Sequence, residues 1–78
     1  MIKLNIKPLM DKQSISRYQL AKQIDVSYPT MDSIYKGKNT SIKFEILESL
    51  CRELHCSPND LFISDNPEIM NYIKGDTE

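Results

Sequence analysis

Ser16-Arg17-Tyr18-Gln19-Leu20-Ala21-Lys22-Gln23-Ile24-Asp25-Val26-Ser27-Tyr28-Pro29-Thr30-Met31-Asp32-Ser33-Ile34-Tyr35-Lys36-Gly37 is the stretch on which the fold turns. Ser16 and Gln19 have the spacing of a capping box, in which the hydroxyl and the amide each satisfy an N–H at the start of a helix. Leu20, Ala21 and Ile24 then form an apolar stripe, and Arg17, Lys22 and Gln23 are left to face outward. Asp25-Val26-Ser27 interrupts the stripe, and Ser27 is placed to cap a second helix that tolerates Pro29 in its first turn. Met31, Ile34 and Tyr35 supply its buried face, and Gly37 is suited to end it in the left-handed conformation. Two short helices separated by about three residues are predicted. Leu20, Ala21, Ile24, Val26, Met31 and Ile34 lock them at a steep angle, and a larger side chain at Ala21 would wedge them apart.

On the N-terminal side, Ile2, Leu4 and Ile6 alternate with Lys3, Asn5 and Lys7, the period of a short half-buried strand. Pro8 opens a brief first helix through Leu9-Met10-Asp11-Lys12-Gln13. On the C-terminal side, Thr40 or Ser41 is expected to cap the longest helix, whose apolar face is Ile42, Ile46, Leu47, Leu50, Cys51 and Leu54. Ser57-Pro58-Asn59-Asp60 opens a fifth helix anchored by Leu61 and Phe62. Asn66-Pro67-Glu68 begins either a short tail helix, with Ile69, Met70, Tyr72 and Ile73 as its apolar residues, or a frayed end. The strand at residues 2–6 pairs either with Leu61-Phe62-Ile63 or with a symmetry mate, and the first is favoured because an open edge strand is a liability.

The chain has 78 residues, with 40% hydrophobic and 27% charged, which fits one small globular domain and excludes a two-domain enzyme. No segment has the length of a membrane span or the pattern of a secretory signal, so the expected compartment is the cytoplasm, with no membrane partner. Its net charge is −1, but the charge is divided. Residues 1–43 carry eight Lys and Arg against three Asp, a net of +5, and residues 44–78 carry two against eight acids, a net of −6. Such a division fits either two solvated faces or a basic face for a polyanion.

Cys51, His55 and Cys56 are the one cluster with metal or thiol chemistry, and they fall short of the four ligands of a structural zinc site. The spacing of the two cysteines along a helix sends them to different faces, so a bridge is not expected, and burial as small apolar residues is the simpler reading. No phosphate-binding glycine loop, nucleophile elbow or paired-histidine motif occurs, so no enzyme, cofactor or metal is expected.

With these residues in view, the chain resembles the lambda-repressor-like family of Cro and phage-repressor regulators, also called XRE-type, over roughly residues 5–63. Ser16-Arg17-Tyr18-Gln19-Leu20-Ala21 is similar to the opening of the family's second helix, and Ile34-Tyr35-Lys36-Gly37-Lys38 to the end of its recognition helix. The stretch Leu50-Cys51-Arg52-Glu53-Leu54-His55-Cys56-Ser57-Pro58-Asn59-Asp60-Leu61 is similar to its fourth and fifth helices, with both cysteines at apolar or small positions. The resemblance implies an all-α, five-helix helix-turn-helix domain over residues 1–64. The motif proper spans 16–37, the short strand precedes it, and a tail follows at 65–78. Three residues depart from the pattern: Arg17 stands where the family often has Gln, Asp25 where it has a turn glycine, and Tyr35 where it commonly has Glu.

In function, the resemblance implies a sequence-specific DNA-binding transcriptional regulator, a repressor reading a palindromic operator as a homodimer through recognition helix 28–36. Base-facing positions carry over to Ser27, Tyr28, Pro29, Thr30 and Ser33, where Tyr28 would meet a thymine methyl and Pro29 would read shape alone. Phosphate contacts fall on Arg17, Lys36, Lys38, Asn39 and Lys43, with Lys22 the weakest candidate. Asp32 faces either solvent or a cytosine, and Tyr35 is assigned to packing. With no second domain expected to sense a ligand, control would rest on concentration or on a protein antagonist. The competing readings are a protein-interaction or antitoxin-like module and, behind it, a thiol or metal sensor.

Overall fold

The structure, a computed structural model, describes residues 1–75, which form five α-helices, a two-stranded ribbon and a 3-10 turn. Strand β1 (Ile2–Leu4) is followed by α1 (Lys7–Gln13), α2 (Arg17–Gln23), α3 (Tyr28–Tyr35) and α4 (Phe44–Leu54). A single 3-10 turn (Pro58–Leu61), strand β2 (Phe62–Ser64) and α5 (Pro67–Lys74) complete it. The fold is the all-α helix-turn-helix domain expected, with its short N-terminal strand. What was expected as a fifth helix at Ser57–Leu61 is the 3-10 turn, started by a Ser57/Asp60 capping box and ended by the extended backbone of Phe62. The tail carries α5, capped by Asn66, whose side-chain oxygen accepts from the Glu68 and Ile69 amides. Residues 76–78 of the tail lie outside the described residues.

Pairing of β1 with β2 is antiparallel and within the chain, with Ile2 opposite Ser64, Lys3 opposite Ile63 and Leu4 opposite Phe62. A 2.7 Å bond from the Asn5 amide to the Leu61 carbonyl continues the ladder and ties the chain's beginning to the end of the 3-10 turn. Leu4 is buried and Lys3 beside it exposed, as the period of two requires, whereas Ile2, on the same strand face as Leu4, stays 53% exposed near the chain's beginning.

Leu20, Ala21, Ile24, Met31 and Ile34 are buried together with Leu4, Ile6, Met10, Leu50, Leu54 and Leu61, so the two helices of the motif share one core with every element from β1 to the 3-10 turn. Val26 and Tyr35 are half-buried at its edge. No polar or charged residue is buried among the described residues. The capping box at Ser16 forms as expected: the hydroxyl accepts from the Gln19 amide at 3.1 Å, and the Gln19 side chain accepts from the Ser16 amide at 3.0 Å. Asp25 takes φ +59°, the left-handed turn that the missing glycine would have supplied. Its short polar side chain makes that conformation less costly than it is for most residues.

The start of α4 differs from expectation. Neither Thr40 nor Ser41 caps it. Lys43 occupies the cap position, with no side-chain bond, and Glu45 in the first turn offsets the helix dipole instead. The reason lies in the preceding loop, where the Asn39 side-chain amide donates to the Ser41 carbonyl at 3.1 Å and holds residues 39–41 in a non-helical turn. Ile42 therefore packs against the core from the loop, outside the helix. The two cysteines also differ from expectation. His55 takes φ +54° at the end of α4, and this folds Cys56 back so that its amide donates to the Cys51 carbonyl at 3.0 Å. Both thiols are half-buried, free and packed against the core, with Cys51 a neighbour of Cys56.

Candidate nucleic-acid interface

Helix α3 begins at Ser27, whose hydroxyl accepts from the Thr30 amide at 3.3 Å and donates to the Thr30 hydroxyl at 2.9 Å. With Met31 and Ile34 facing the core, a turn of 100° per residue directs Pro29, Asp32, Ser33 and Lys36 outward. Tyr28, 45% exposed, and the half-buried Tyr35 sit on the flank toward α2. Thr30 sits on the opposite flank, where it lines a cleft of about 560 Å³ with Ser27, Lys43, Glu45 and Ser49. Of the five residues expected to face bases, Pro29, Thr30 and Ser33 share a second groove of about 330 Å³, closed on its far side by Asn39, Ser41 and Ile42. Tyr28 does not line it, and Ser27 is occupied as the helix cap.

The cations expected at phosphates divide into two groups. Lys38 and Lys43 are exposed and form no ion pair among the described residues. Arg17 and Lys36 converge on Asp32. The Arg17 Nη1 lies 2.6 Å from Oδ1, and the Lys36 Nζ lies 2.9 Å from Oδ2, one helical turn along α3. The Arg17 guanidinium also lies 4.5 Å from the centroid of the Tyr35 ring and 6.0 Å from that of Tyr28. A cation in the first turn of α2 opposes the helix dipole, and the Asp32 carboxylate and the two ring faces compensate for that placement. The hydrogen bond from Lys36, with the charges of Lys36 and Arg17 beside it, holds the Asp32 carboxyl below the usual carboxylate range against the opposing effect of desolvation.

Asp32 is therefore neither a bare solvated acid nor a lone acceptor; it is the hub joining α2 to α3. Sequence reasoning left it facing either solvent or a cytosine and gave it no part in joining the helices, although its i, i+4 spacing from Lys36 was a readable signal. Tyr35 packs as expected and does so against Arg17. Asn39 spends one N–H on the Ser41 carbonyl, and its side-chain oxygen is buried without a partner. Lys22 lies over the Tyr18 ring at 5.5 Å. Phe44, assigned to no apolar stripe, stands 87% exposed beside Lys43 at the start of α4.

The family profile described as the Cro/C1-type HTH DNA-binding domain matches residues 5–66, from the end of β1 to the cap of α5. The chain belongs to the Cro/C1-type helix-turn-helix family. It is 26% identical over 71 residues to YozG of Bacillus subtilis (strain 168), described as an uncharacterized HTH-type transcriptional regulator. That alignment covers 91% of this chain and 84% of YozG. Among solved structures it is similar to a chain of the SinR protein/SinI protein complex, with a TM-score of 0.66 and 20% identity, covering 91% of this chain and 73% of that one. The Cro/C1-type assignment makes this chain a DNA-binding regulator, and the family is a DNA-binding domain family and not an enzyme family. Among the described residues, no group of three or more His, Cys, Asp or Glu side chains is placed to hold a metal ion, and no helix is long and apolar enough to cross a membrane.

Proposed function

We propose that this protein is a transcriptional repressor that binds a palindromic operator as a homodimer, each copy laying α3 in the major groove. The observation that carries the reading is the outward face of α3. It combines Pro29, Ser33 and Lys36 with the exposed Tyr28 ring on a helix whose other face is buried, and Lys38 and Lys43 stand free on the flanking loop. Ser33 and Tyr28 carry the base contacts, Ser33 through its hydroxyl and Tyr28 through apolar contact with a thymine methyl. Pro29 reads groove shape. Ser27 and Thr30 act mainly by fixing the helix start, and Thr30 reaches bases only from the flank. Arg17, Lys36, Lys38, Asn39 and Lys43 are the proposed phosphate contacts, which set register and give affinity that falls with salt.

Selection of bound duplexes from a random pool at about 150 mM salt tests this. The expected product is a palindrome with half-site centres about 34 Å apart. Recovery of no enriched site would count against operator recognition. A second reading, a protein-interaction module, draws on the net charge of −6 in residues 44–78 and on α5, which carries Ile69, Met70, Tyr72 and Ile73 without burying any of them fully. It predicts a stoichiometric partner on copurification from the native host. A protein antagonist using that acidic half would unite the two readings.

A further inference from the structure

The outward face of α3 holds one carboxylate, at Asp32, between the proposed base contact Ser33 and the core residue Met31. An acid at that position faces the phosphate backbone it would approach, and uncompensated it would repel it. Both of its oxygens are instead engaged, Oδ1 by Arg17 at 2.6 Å and Oδ2 by Lys36 at 2.9 Å. These are two of the five side chains proposed as phosphate contacts. The three groups together carry +1, where the two cations alone would carry +2. Arg17 is held a second time, by the Tyr35 ring at 4.5 Å. Asp32 is 27% exposed, so its charge is felt at the surface that DNA would meet.

We propose that Asp32 limits the sequence-independent affinity of this domain for DNA by engaging Arg17 and Lys36, an inference that rests on the DNA-binding reading above. Phosphate contacts are blind to sequence, and each cation that neutralises a phosphate on duplex DNA adds about 0.9 to the slope of log affinity against log salt. A cation already paired with Asp32 releases fewer counterions on meeting a phosphate. The carboxylate also remains beside the contact and repels the incoming charge. Affinity for arbitrary duplex therefore stays low, and base contacts along α3 supply a larger share of the total. The depressed pKa of Asp32 keeps the carboxylate charged throughout the neutral range, so this restraint does not relax with modest acidification.

The test is a salt titration of binding to random-sequence duplex, between about 50 and 200 mM, for the unaltered chain, Asp32→Asn, Lys36→Gln and the double variant. Asp32→Asn keeps the shape of the side chain and removes its charge, and it is expected to steepen the slope by about 0.9 to 1.8 and to tighten binding about five-fold or more at 150 mM. Lys36→Gln is expected to cost more in the Asp32→Asn background than alone, because only there is the lysine unpaired. Asp32→Ala, a substitution favourable to a helix, provides a second neutral variant, and thermal melts of each confirm folding. If the unaltered chain binds duplex but neither neutral variant steepens the slope, the role of Asp32 is refuted and DNA binding stands. Additive losses in the double variant refute it likewise. If neither the unaltered chain nor the variants bind duplex, the DNA-binding reading falls and this inference falls with it.

Discussion

Replacing Gly37 with alanine should weaken the fold at the end of α3 and at β1 together. Gly37 follows α3 with φ +67°, and a Cβ built on it lies 3.1 Å from the Leu4 carbonyl oxygen, with Lys3 side-chain carbons at 3.9 Å. The first contact is with backbone already fixed by pairing to Phe62, so it yields poorly. The left-handed conformation costs an L-residue about 1 to 2 kcal/mol, and relief of the close approach adds about 1 kcal/mol. Against this, alanine loses less unfolded-state freedom than glycine, a gain of about 0.4 to 1 kcal/mol. The net loss is about 1.5 kcal/mol, from a total stability that for a chain of this length is roughly 4 to 12 kcal/mol. For a domain of this size it corresponds to a drop in Tm of about 6 to 12 °C, measurable by circular dichroism. Gly37→Asn separates the two causes, since asparagine tolerates positive φ but keeps the Cβ, and it should fall between glycine and alanine. A Tm within about 2 °C of the original for Gly37→Ala would refute both the strain and the close approach. An asparagine variant as stable as the original would refute the steric part alone.

Ser16→Ala removes one half of the capping box and is expected to cost about 1 kcal/mol, seen as a lower urea midpoint with an unchanged slope. The folded-state pKa of Asp32 lies below its unfolded value, so its ion pairs contribute their full stabilisation above the unfolded pKa and lose it as the pH falls through the folded one. A carboxyl titration by NMR should place Asp32 below the usual aspartate range, and Asp32→Asn should remove its share of the acid limb of the unfolding curve. Burial, reinforced by the neighbouring Cys51 and Asp60, raises the Cys56 thiol to about 11. At pH 8 only about one molecule in a thousand therefore carries that thiolate, and alkylation of Cys56 by iodoacetamide should be slow in the folded chain and fast after unfolding. Rapid labelling of the native chain at Cys56 would contradict this and revive a thiol-sensing role.

The motif was legible because its signals are local. A capping box, an apolar stripe of period 3.6 and a serine cap each depend on residues within one or two turns, and Ser16–Gln19, Leu20–Ile24 and Ser27 all form as their spacing dictates. Where a competing contact or turn, near or far along the chain, decides the outcome, the reading was weaker. The start of α4 was missed because Thr40 and Ser41 have capping side chains, whereas the deciding bond is the one from Asn39 to the Ser41 carbonyl. The cysteines were placed on different faces by assuming the helix continued, and the left-handed turn at His55 ends it one residue before Cys56. Asp32 shows the same limit at the candidate interface. Its pairing with Lys36 is local and readable, but the Arg17 partner lies 15 residues away and meets it only because α2 and α3 pack against each other over one core.

That crossing also bears on why a single copy would be a weak DNA binder. Of the four cations proposed at phosphates, two share their charge with Asp32, and the acidic half beyond residue 43 adds no compensating positive field. Lys38 and Lys43 would contribute about −1.8 to the salt slope of one copy, with less than the full 0.9 each from Arg17 and Lys36, a shallow dependence for tight binding at physiological salt. Two copies on one duplex double the phosphate count and the base contacts of α3 without any change in the chain, so their binding free energies add. A chain that restrains its own sequence-blind affinity gains selectivity from that doubling. On the proposed palindrome Tyr28, Pro29 and Ser33 would each contribute twice, whereas arbitrary duplex would offer each copy phosphate contacts alone, with those of Arg17 and Lys36 reduced by Asp32.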